Sequence, residues 1–208
     1  METGTEPRTE LGAAGCGRLA DDLDAGFVQL VERYGPVLHS VALRVTGHQA
    51  DAEDLAAESF LRAYRALRGY APDRIAALQP RPWLMTILLN VWRNTLRDRH
   101  RRPTLVPVGE SRDELAAGPS VEELVERSED GQRLSSLITE LPPPQRVAVV
   151  LRHVVGLPIA EIAAVLDCPE GTVKSHVSRG LGRLRVAWDR DQRPAAGPTA
   201  ARDPEEGR

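Results

Sequence analysis

The chain has 208 residues, of which 41% are apolar and 27% charged, so we expect a folded core rather than wholesale disorder. Only 4% are aromatic, and the abundance of Ala, Leu, Val and Arg favours helices over sheets. No apolar run approaches the roughly 20 residues that cross a bilayer, and the N-terminus lacks the pattern of a secretory signal. The two cysteines, Cys16 and Cys168, are too few and too far apart for a disulfide framework or a four-cysteine zinc site. A reducing cytoplasm is the expected location.

The net charge of −3 is unevenly distributed along the chain. Residues 93–102 carry a net charge of +4, residues 109–131 carry −6, and residues 169–193 carry +3. Two basic blocks therefore flank an acidic one. Because a polyanion meets local charge, the whole-chain value does not exclude nucleic acid as a partner.

Apolar residues in the first half recur at three- and four-residue steps, which predicts α-helices. Pro36 predicts a kink or a restart near Gly35, and Gly47 is placed to close the first helix. Pro82 suits the first turn of a later helix. The predicted elements are helices over 27–45, 50–67 and 82–99, and a proline-rich loop over 69–82 with room for one helical turn.

The second half begins with a tether and continues with shorter helices. Proline and glycine recur over residues 103–120, and helices are predicted over 131–140, 143–154, 158–166 and 170–188. No alternating strand pattern persists, so the predicted class is all-α, with two small helical domains. The predicted divisions are a disordered arm (1–22), a first domain (23–102), an acidic linker (103–129), a second domain (130–190) and a disordered tail (191–208).

Residues 157–185 have the pattern of a helix-turn-helix. Residues 167–169 predict a tight turn, since Pro169 loses no needed donor at the start of a helix, and Cys168 is expected to pack there as a small apolar residue. Small polar and basic side chains occupy the outer face of the second helix, a composition that suits entry into the major groove of DNA. The alternative is a bundle corner with a solvated basic face. The predicted buried positions of this helix are Val173, Val177, Leu181 and Leu184.

These segments resemble those of bacterial RNA polymerase sigma factors. Region 4 is resembled by LPPPQRVAVVLRHVVGLPIAEIAAVLDCPEGTVKSHVSRGLGRLR. Region 2.2 is resembled by DAEDLAAESFLRAYRAL, and the helix that follows it by RPWLMTILLNVWRNTLRDRHRR. The order of the pieces, with a long tether and no region 1.1 or region 3 domain, is similar to the extracytoplasmic-function (group 4) subfamily. The resemblance covers residues 24–102 and 130–188.

The resemblance implies a function and a set of partners. It implies a subunit that binds core RNA polymerase, recognises and melts a promoter, and starts transcription at a specialised regulon. It implies no catalytic residue, no cofactor and no metal, because the polymerase performs the chemistry. The implied partners are the clamp helices of the largest polymerase subunit, promoter DNA and an anti-sigma factor. Membrane insertion is not expected.

The resemblance assigns recognition of the −35 promoter element to the outer face of the second helix of the helix-turn-helix. Arg183, together with Arg185, is expected to hold phosphates, whereas Lys174 and Arg179 are expected to discriminate between bases. The candidate −35 residues are Thr172, Lys174, Ser175, Ser178, Arg179 and Arg183.

For the −10 element the resemblance implies a pocket for a base flipped out of melted DNA. Asn90 offers a donor and an acceptor to a base edge, while the Trp83 ring has core packing as its alternative. The loop over 69–82 is longer and richer in proline than is common, and Met85 stands where an aromatic is frequent. The candidate pocket residues are Tyr70, Trp83, Met85 and Asn90. The candidate phosphate contacts are Arg93, Arg97 and Arg101, with Arg99 and Arg102 in the same run.

Polymerase binding is assigned by the resemblance to the predicted helix over 50–67. The candidate residues are Asp54, Leu55, Glu58 and Arg62, which lie close to one face. A surface helix with charges matched to its dipole is the alternative. The acidic linker resembles the segment that threads toward the RNA exit channel, and a solubilising spacer is its alternative.

Two other classes of protein are alternatives to this interpretation of the sequence. The phrase EGTVKSHVSR also resembles LuxR-type regulators, which would require a sensory module with strands in the first 130 residues. An enzyme would require a catalytic motif, but the five histidines are scattered and no phosphate loop or nucleophile elbow is present. A metal site at Asp51, Glu53, Asp54 and Glu58 is less well supported than a charged helix face.

Overall fold

The computed structural model describes residues 19–101 and 129–192. Within these two ranges the regular structure is helical and includes no strand, in agreement with the predicted all-α class. Strands were the feature expected of a LuxR-type sensory module, and none occurs in residues 19–101. The predicted linker and tail lie almost wholly outside the described residues, as does most of the predicted arm. Residues 19–21, which were assigned to the disordered arm, are instead helical, and Leu19 is buried in the core. No helix in the described part is long and apolar enough to span a membrane.

Helices α1 to α4 form the N-terminal domain and helices α5 to α8 the C-terminal domain. The N-terminal helices are α1 (Leu23–Thr46), α2 (Gln49–Leu67), α3 (Pro72–Ala76) and α4 (Pro80–Arg101). The C-terminal helices are α5 (Glu129–Glu140), α6 (Pro143–His153), α7 (Ile159–Leu166) and α8 (Glu170–Gln192).

Helix α1 is closed at both ends by local hydrogen bonds. The Asp22 carboxylate accepts bonds from the backbone N–H groups of Asp24 and Ala25, which are otherwise without partners in a first turn. Gly47 ends the helix, as predicted, with a left-handed φ of 80°. Of the predicted kink or restart near Gly35, the restart is wrong, because α1 runs through Pro36 as one helix. Pro36 is exposed, so the carbonyl that loses its donor there is open to water.

Helix α4 begins at Pro80, two residues before the predicted start, and α3 is the predicted turn within the loop. Helix α4 packs against α2 and α1, and its apolar residues therefore point to more than one side. Helical spacing in the sequence predicts a single buried stripe on this helix, but Met85 and Leu89, which lie outside that stripe, are buried as well. The buried face of α2 includes Leu55, Ala63 and Leu67.

The centre of the C-terminal domain is α6, in which five consecutive residues, 147–151, are buried. Consecutive residues point about 100° apart around a helix, so α6 must be covered on several sides. Helix α8 covers one side and α1 of the N-terminal domain covers another.

The two domains pack against each other rather than standing apart. Helix α1 contacts α5 and α6, and α4 contacts α7. Buried apolar residues from both domains form one continuous cluster. This docking was not predicted from the sequence, which indicated only two domains joined by a tether.

Candidate nucleic-acid and polymerase interfaces

Helices α7 and α8 form the predicted helix-turn-helix. Asp167 adopts a left-handed φ of 52° that reverses the chain after α7, and the Cys168 N–H donates to the Ala163 carbonyl at 3.1 Å. The Pro169 carbonyl then accepts bonds from the N–H groups of Thr172 and Val173 at 2.9 and 3.2 Å. The turn thus supplies the first backbone bonds of α8, and Cys168 packs against the core as expected.

The buried face of α8 differs from the prediction at one position. Val173 and Leu184 are buried and Val177 is half-buried, but Leu181 is 40% exposed. Gly180 is buried in its place, because the backbone of α8 approaches α6 most closely there. A Cβ atom on Gly180 would lie 2.6 Å from Cγ2 of Val149.

The outer face of α8 presents every residue predicted to read the −35 element. The exposed side chains are Thr172, Lys174, Ser175, Ser178, Arg179 and Arg183. Ser175 lies near the centre of this face and Lys174 at one edge, where its ammonium group is 3.5 Å from the Glu170 carboxylate. An exposed ion pair of this kind contributes little to stability, so Lys174 can readily exchange it for a contact with a DNA phosphate.

A basic stripe continues along α8 beyond the predicted residues. Arg179, Arg183, Val186 and Arg190 recur at steps of four, three and four and line a shallow groove of about 470 Å³. Arg190 was not among the predicted DNA contacts, although its helical spacing from Arg183 was visible in the sequence. The stripe spans about 16 Å, the rise of eleven helical residues.

On α4, one face carries most of the residues predicted to meet the −10 element. Trp83 and Arg93 are half-buried, whereas Asn90 and Arg97 are exposed. Steps of seven residues return to the same side of a helix, so Trp83, Asn90 and Arg97 lie in one row. The Asn90 Oδ1 atom accepts a bond of 3.2 Å from Nη1 of Arg93, which leaves the Asn90 amide hydrogens directed away from that arginine.

Tyr70 extends this row at the start of the loop. Its ring centroid is 6.3 Å from that of Trp83, with the planes inclined at 58°. The Arg74 guanidinium carbon lies 3.7 Å from the Tyr70 ring centroid, a cation–π distance. Arg74 was missed by the sequence reasoning, since nothing in its spacing from Tyr70 indicated the contact.

One predicted −10 residue does not lie on this face. Met85 is fully buried in the core, because two residues after Trp83 the helix has turned by about 200°. The prediction that its side chain contacts DNA therefore conflicts with the structure. Arg101 ends α4, but its side chain lies outside the described part, as do those of Arg99 and Arg102.

The predicted polymerase-binding residues lie along α2. The Glu58 carboxylate accepts a hydrogen bond of 2.6 Å from Nε of Arg62, and both side chains are partly exposed. Asp54 is exposed one turn earlier. Leu55 is only 6% exposed, so the expected exposed apolar contact is instead almost buried at this face.

A groove of about 420 Å³ runs beside this face of α2. Its floor is apolar and includes Leu55, Val91 and Trp92, while one rim carries Asp51, Asp54 and Glu58. We call it the acidic groove. Pro143 and Arg146, from the start of α6 in the other domain, also line this groove.

Comparison with known proteins places both domains in one family. Residues 30–102 match the family described as Sigma-70 region 2, and residues 131–184 match Sigma-70, region 4. The ECF RNA polymerase sigma-E factor of Salmonella typhimurium is 36% identical over 162 residues, which cover 74% of this chain and 81% of that protein. The chain belongs to the ECF RNA polymerase sigma factors. This family directs RNA polymerase to promoters, and its members are non-enzymatic transcription regulators.

A second relative and two solved structures agree with this membership. The ECF RNA polymerase sigma factor SigE of Mycolicibacterium smegmatis is 35% identical over 159 residues, which span 76% of this chain but 59% of that protein. The sigma factor RpoE from Bartonella quintana, in complex with the anti-sigma factor NepR, has a TM-score of 0.62 at 26% identity, over 80% of this chain and 98% of that one. CnrH, in complex with the cytosolic domain of CnrY, has a TM-score of 0.61 at 25% identity, over 88% and 99%.

The sigma-factor assignment gives each domain of the structure a counterpart. Region 2 corresponds to α1–α4, which carry the acidic groove and the row of Trp83, Asn90 and Arg97, and region 4 corresponds to the helix-turn-helix and the helices before it. In the described residues, no group of three His, Cys, Asp or Glu side chains is placed to hold a metal ion.

Proposed function

We propose that this sigma factor binds core RNA polymerase through α2, reads the −35 duplex with α8, and holds the melted −10 strand against α4 and its preceding loop. The observation that carries the proposal is the polarity of α8. All six side chains predicted to face DNA are exposed, while Val173, Gly180 and Leu184 on the opposite side are buried.

On the −35 duplex, α8 enters the major groove by its N-terminal half. Ser175 and Ser178 are short enough to let the helix approach the base edges, and Arg179 and Lys174 are long enough to reach guanine acceptors. Arg183 and Arg190, further along the basic stripe, hold phosphates as the helix leaves the groove. These backbone contacts fix the register of the helix, while the first half of the helix supplies sequence preference.

On the −10 element, the ring of Trp83, beside Tyr70, supplies a stacking surface for an unpaired base. Stacking is worth about 1–3 kcal/mol per base, which offsets much of the cost of removing that base from the duplex. Asn90, in line with Trp83, contacts the base edge. Arg93 and Arg97 follow the phosphates of the same strand. Met85 takes part only by supporting α4 from the core.

Polymerase binding uses the charged face of α2. Asp54 and Glu58 present negative charge, and Arg62 positive charge, beside the apolar floor of the acidic groove, a combination that suits helices with complementary charge such as the clamp helices of the largest subunit. Leu55 contributes to the floor rather than to an exposed contact.

The protein itself performs no covalent step, since the polymerase that it recruits makes the RNA. We place this activity in the cytoplasm, at a specialised set of promoters. An anti-sigma factor is a further expected partner, because one similar solved structure is a sigma factor in complex with an anti-sigma factor.

Binding to core polymerase and to DNA tests the proposal in two steps. The purified chain should co-migrate with core polymerase, and only the resulting holoenzyme should retain promoter fragments selected from genomic DNA. Retention should fall when α8 carries Ser175→Asp, whereas Ser136→Asp, at an exposed serine of α5, is the matched control. Equal retention by all three holoenzymes would refute the assignment of −35 recognition to α8.

A further inference from the structure

Arg146 joins the carboxyl ends of two helices that belong to different domains. Its Nη1 atom donates a bond of 2.7 Å to the carbonyl of Val45, in the last turn of α1. Its Nη2 atom donates to the carbonyl of Thr139, in the last turn of α5, and to that of Leu141 at 3.1 Å. The last carbonyls of a helix have no donors within it and form the negative end of its dipole. One guanidinium group therefore caps α1 and α5 together.

The location of Arg146 within its own helix is unfavourable without these partners. It lies near the start of α6, where the helix dipole disfavours a positive charge. It is half-buried, and this burial lowers the pKa of its guanidinium group. Among the described residues its Nε atom is buried and has no hydrogen-bond partner. The carbonyls of α1 and α5 supply the interactions that keep the charge in place.

Contacts around Arg146 extend the junction. Gly47, which caps α1, abuts Thr139, since a Cβ atom on Gly47 would lie 3.3 Å from Cγ2 of Thr139. At a second point, Nη1 of Arg81 in α4 donates a bond of 3.2 Å to the carbonyl of Val155, which follows α6. The domains are thus connected by side-chain-to-backbone bonds at two separate places.

This docking has a consequence for the acidic groove. Pro143 and Arg146 line the same cavity as Asp54, Leu55 and Glu58. The first turn of α6 therefore lines the same groove as the residues assigned to polymerase binding, and Arg146 adds a positive charge to a lining that holds three carboxylates. A helix of another protein that filled this groove would have to displace the first turn of α6 or share the groove with it.

We propose that the acidic groove is a docking surface for the start of α6 in the free chain, and that core polymerase has to displace this contact in order to bind. Arg146 holds the two domains together in this closed arrangement, and we call it the clasp. The role of polymerase rests on the proposed function, whereas the closed arrangement does not. If the open form is a minor population, the apparent affinity for polymerase falls in proportion to that population.

Two substitutions open the junction by different routes. Arg146→Ala removes the clasp, and Thr139→Trp places a large ring against Gly47 while leaving Arg146 intact. Arg152→Ala is the matched control, because Nη1 of Arg152 also donates to a backbone carbonyl, that of Leu157 at 3.0 Å, but wholly within the C-terminal domain. Thermal unfolding of each variant identifies any that fails to fold. If Arg146→Ala fails to fold, Thr139→Trp remains as the variant that tests the junction.

Small-angle scattering and polymerase titration of the full-length variants test the proposal separately. Both opening variants should show a larger radius of gyration than the wild type and the control, and an apparent affinity for core polymerase about five- to tenfold higher. Unchanged dimensions in both variants would overturn the clasp. Larger dimensions with unchanged affinity would overturn the competition. A wild-type chain that binds no polymerase would refute the proposed function. The scattering data would then still test whether Arg146 holds the two domains together.

Discussion

Gly180 of α8 packs directly against Val149 of α6, and no methyl group fits between them: a Cβ atom at Gly180 would lie 2.6 Å from Cγ2 of Val149. Valine is stiff at χ1, so it does not turn aside easily. This contact sets how deeply the recognition helix seats on its domain, and hence which of its side chains stand out toward DNA.

Gly180→Ala should therefore destabilise the C-terminal domain, by about 1–3 kcal/mol in the free energy of unfolding. Gly182→Ala is the control, since a Cβ atom there meets nothing within 4 Å, and alanine should stabilise the helix by about 0.5–1 kcal/mol. Denaturant unfolding measures both. Equal effects of the two substitutions would contradict the close approach.

Arg179 and Arg190 should differ in the kind of DNA binding that they support. Arg179→Ala should cost about 1–3 kcal/mol at particular −35 bases and relax the preference there. Arg190→Ala should weaken all sequences alike and reduce the salt slope of binding by about 1. Titrations of holoenzyme against a promoter and its single-base variants, at several salt concentrations, separate the two. A base-specific loss for Arg190→Ala would contradict its assignment to phosphate.

Trp83 and Asn90 should affect the melted strand rather than the duplex. Trp83→Ala should reduce promoter opening, followed by permanganate reactivity of unpaired thymines, because a stacking surface is lost. Since the Trp83 ring is half-buried, Trp83→Phe keeps an apolar ring and should lose less opening at similar thermal stability. Asn90→Ala should change the −10 base preference with no change in thermal stability, since this side chain is exposed. If the Trp83→Ala holoenzyme opened the promoter normally, Trp83 would have only a structural role in the core.

Charge reversal on α2 should weaken the affinity for core polymerase. Glu58→Lys removes the pair with Arg62 and places repulsive charge on the assigned face, so at least about tenfold weaker binding is expected. Glu53→Lys is the control on the same helix, about 100° away from Asp54 around its axis. The prediction fails if both variants bind core polymerase equally well.

The sequence predicted the helices, the helix-turn-helix and the family because each rests on local spacing. Val173 and Leu184 followed from helical periodicity, and Gly47 from the backbone freedom of glycine. Leu181 was misassigned because periodicity gives the direction of a side chain, not the distance to the neighbouring helix that made Gly180 the buried residue. Met85 was misassigned because α4 is buried on more than one side.

The docking of the two domains had no signal in the sequence. Arg146 binds carbonyl oxygens, and a backbone acceptor leaves no trace in residue type. The contact between Arg74 and Tyr70 is similar, because a cation–π pair depends on the path of the loop. Such contacts become visible only when separate segments are placed in space.

Run-off transcription with reconstituted core polymerase is the most direct measurement of the central claim. With this chain added, core polymerase should start RNA at discrete sites on genomic templates, and Ser175→Asp should abolish most of those starts. Absence of discrete starts from active core polymerase in the presence of the folded wild-type chain would contradict the account.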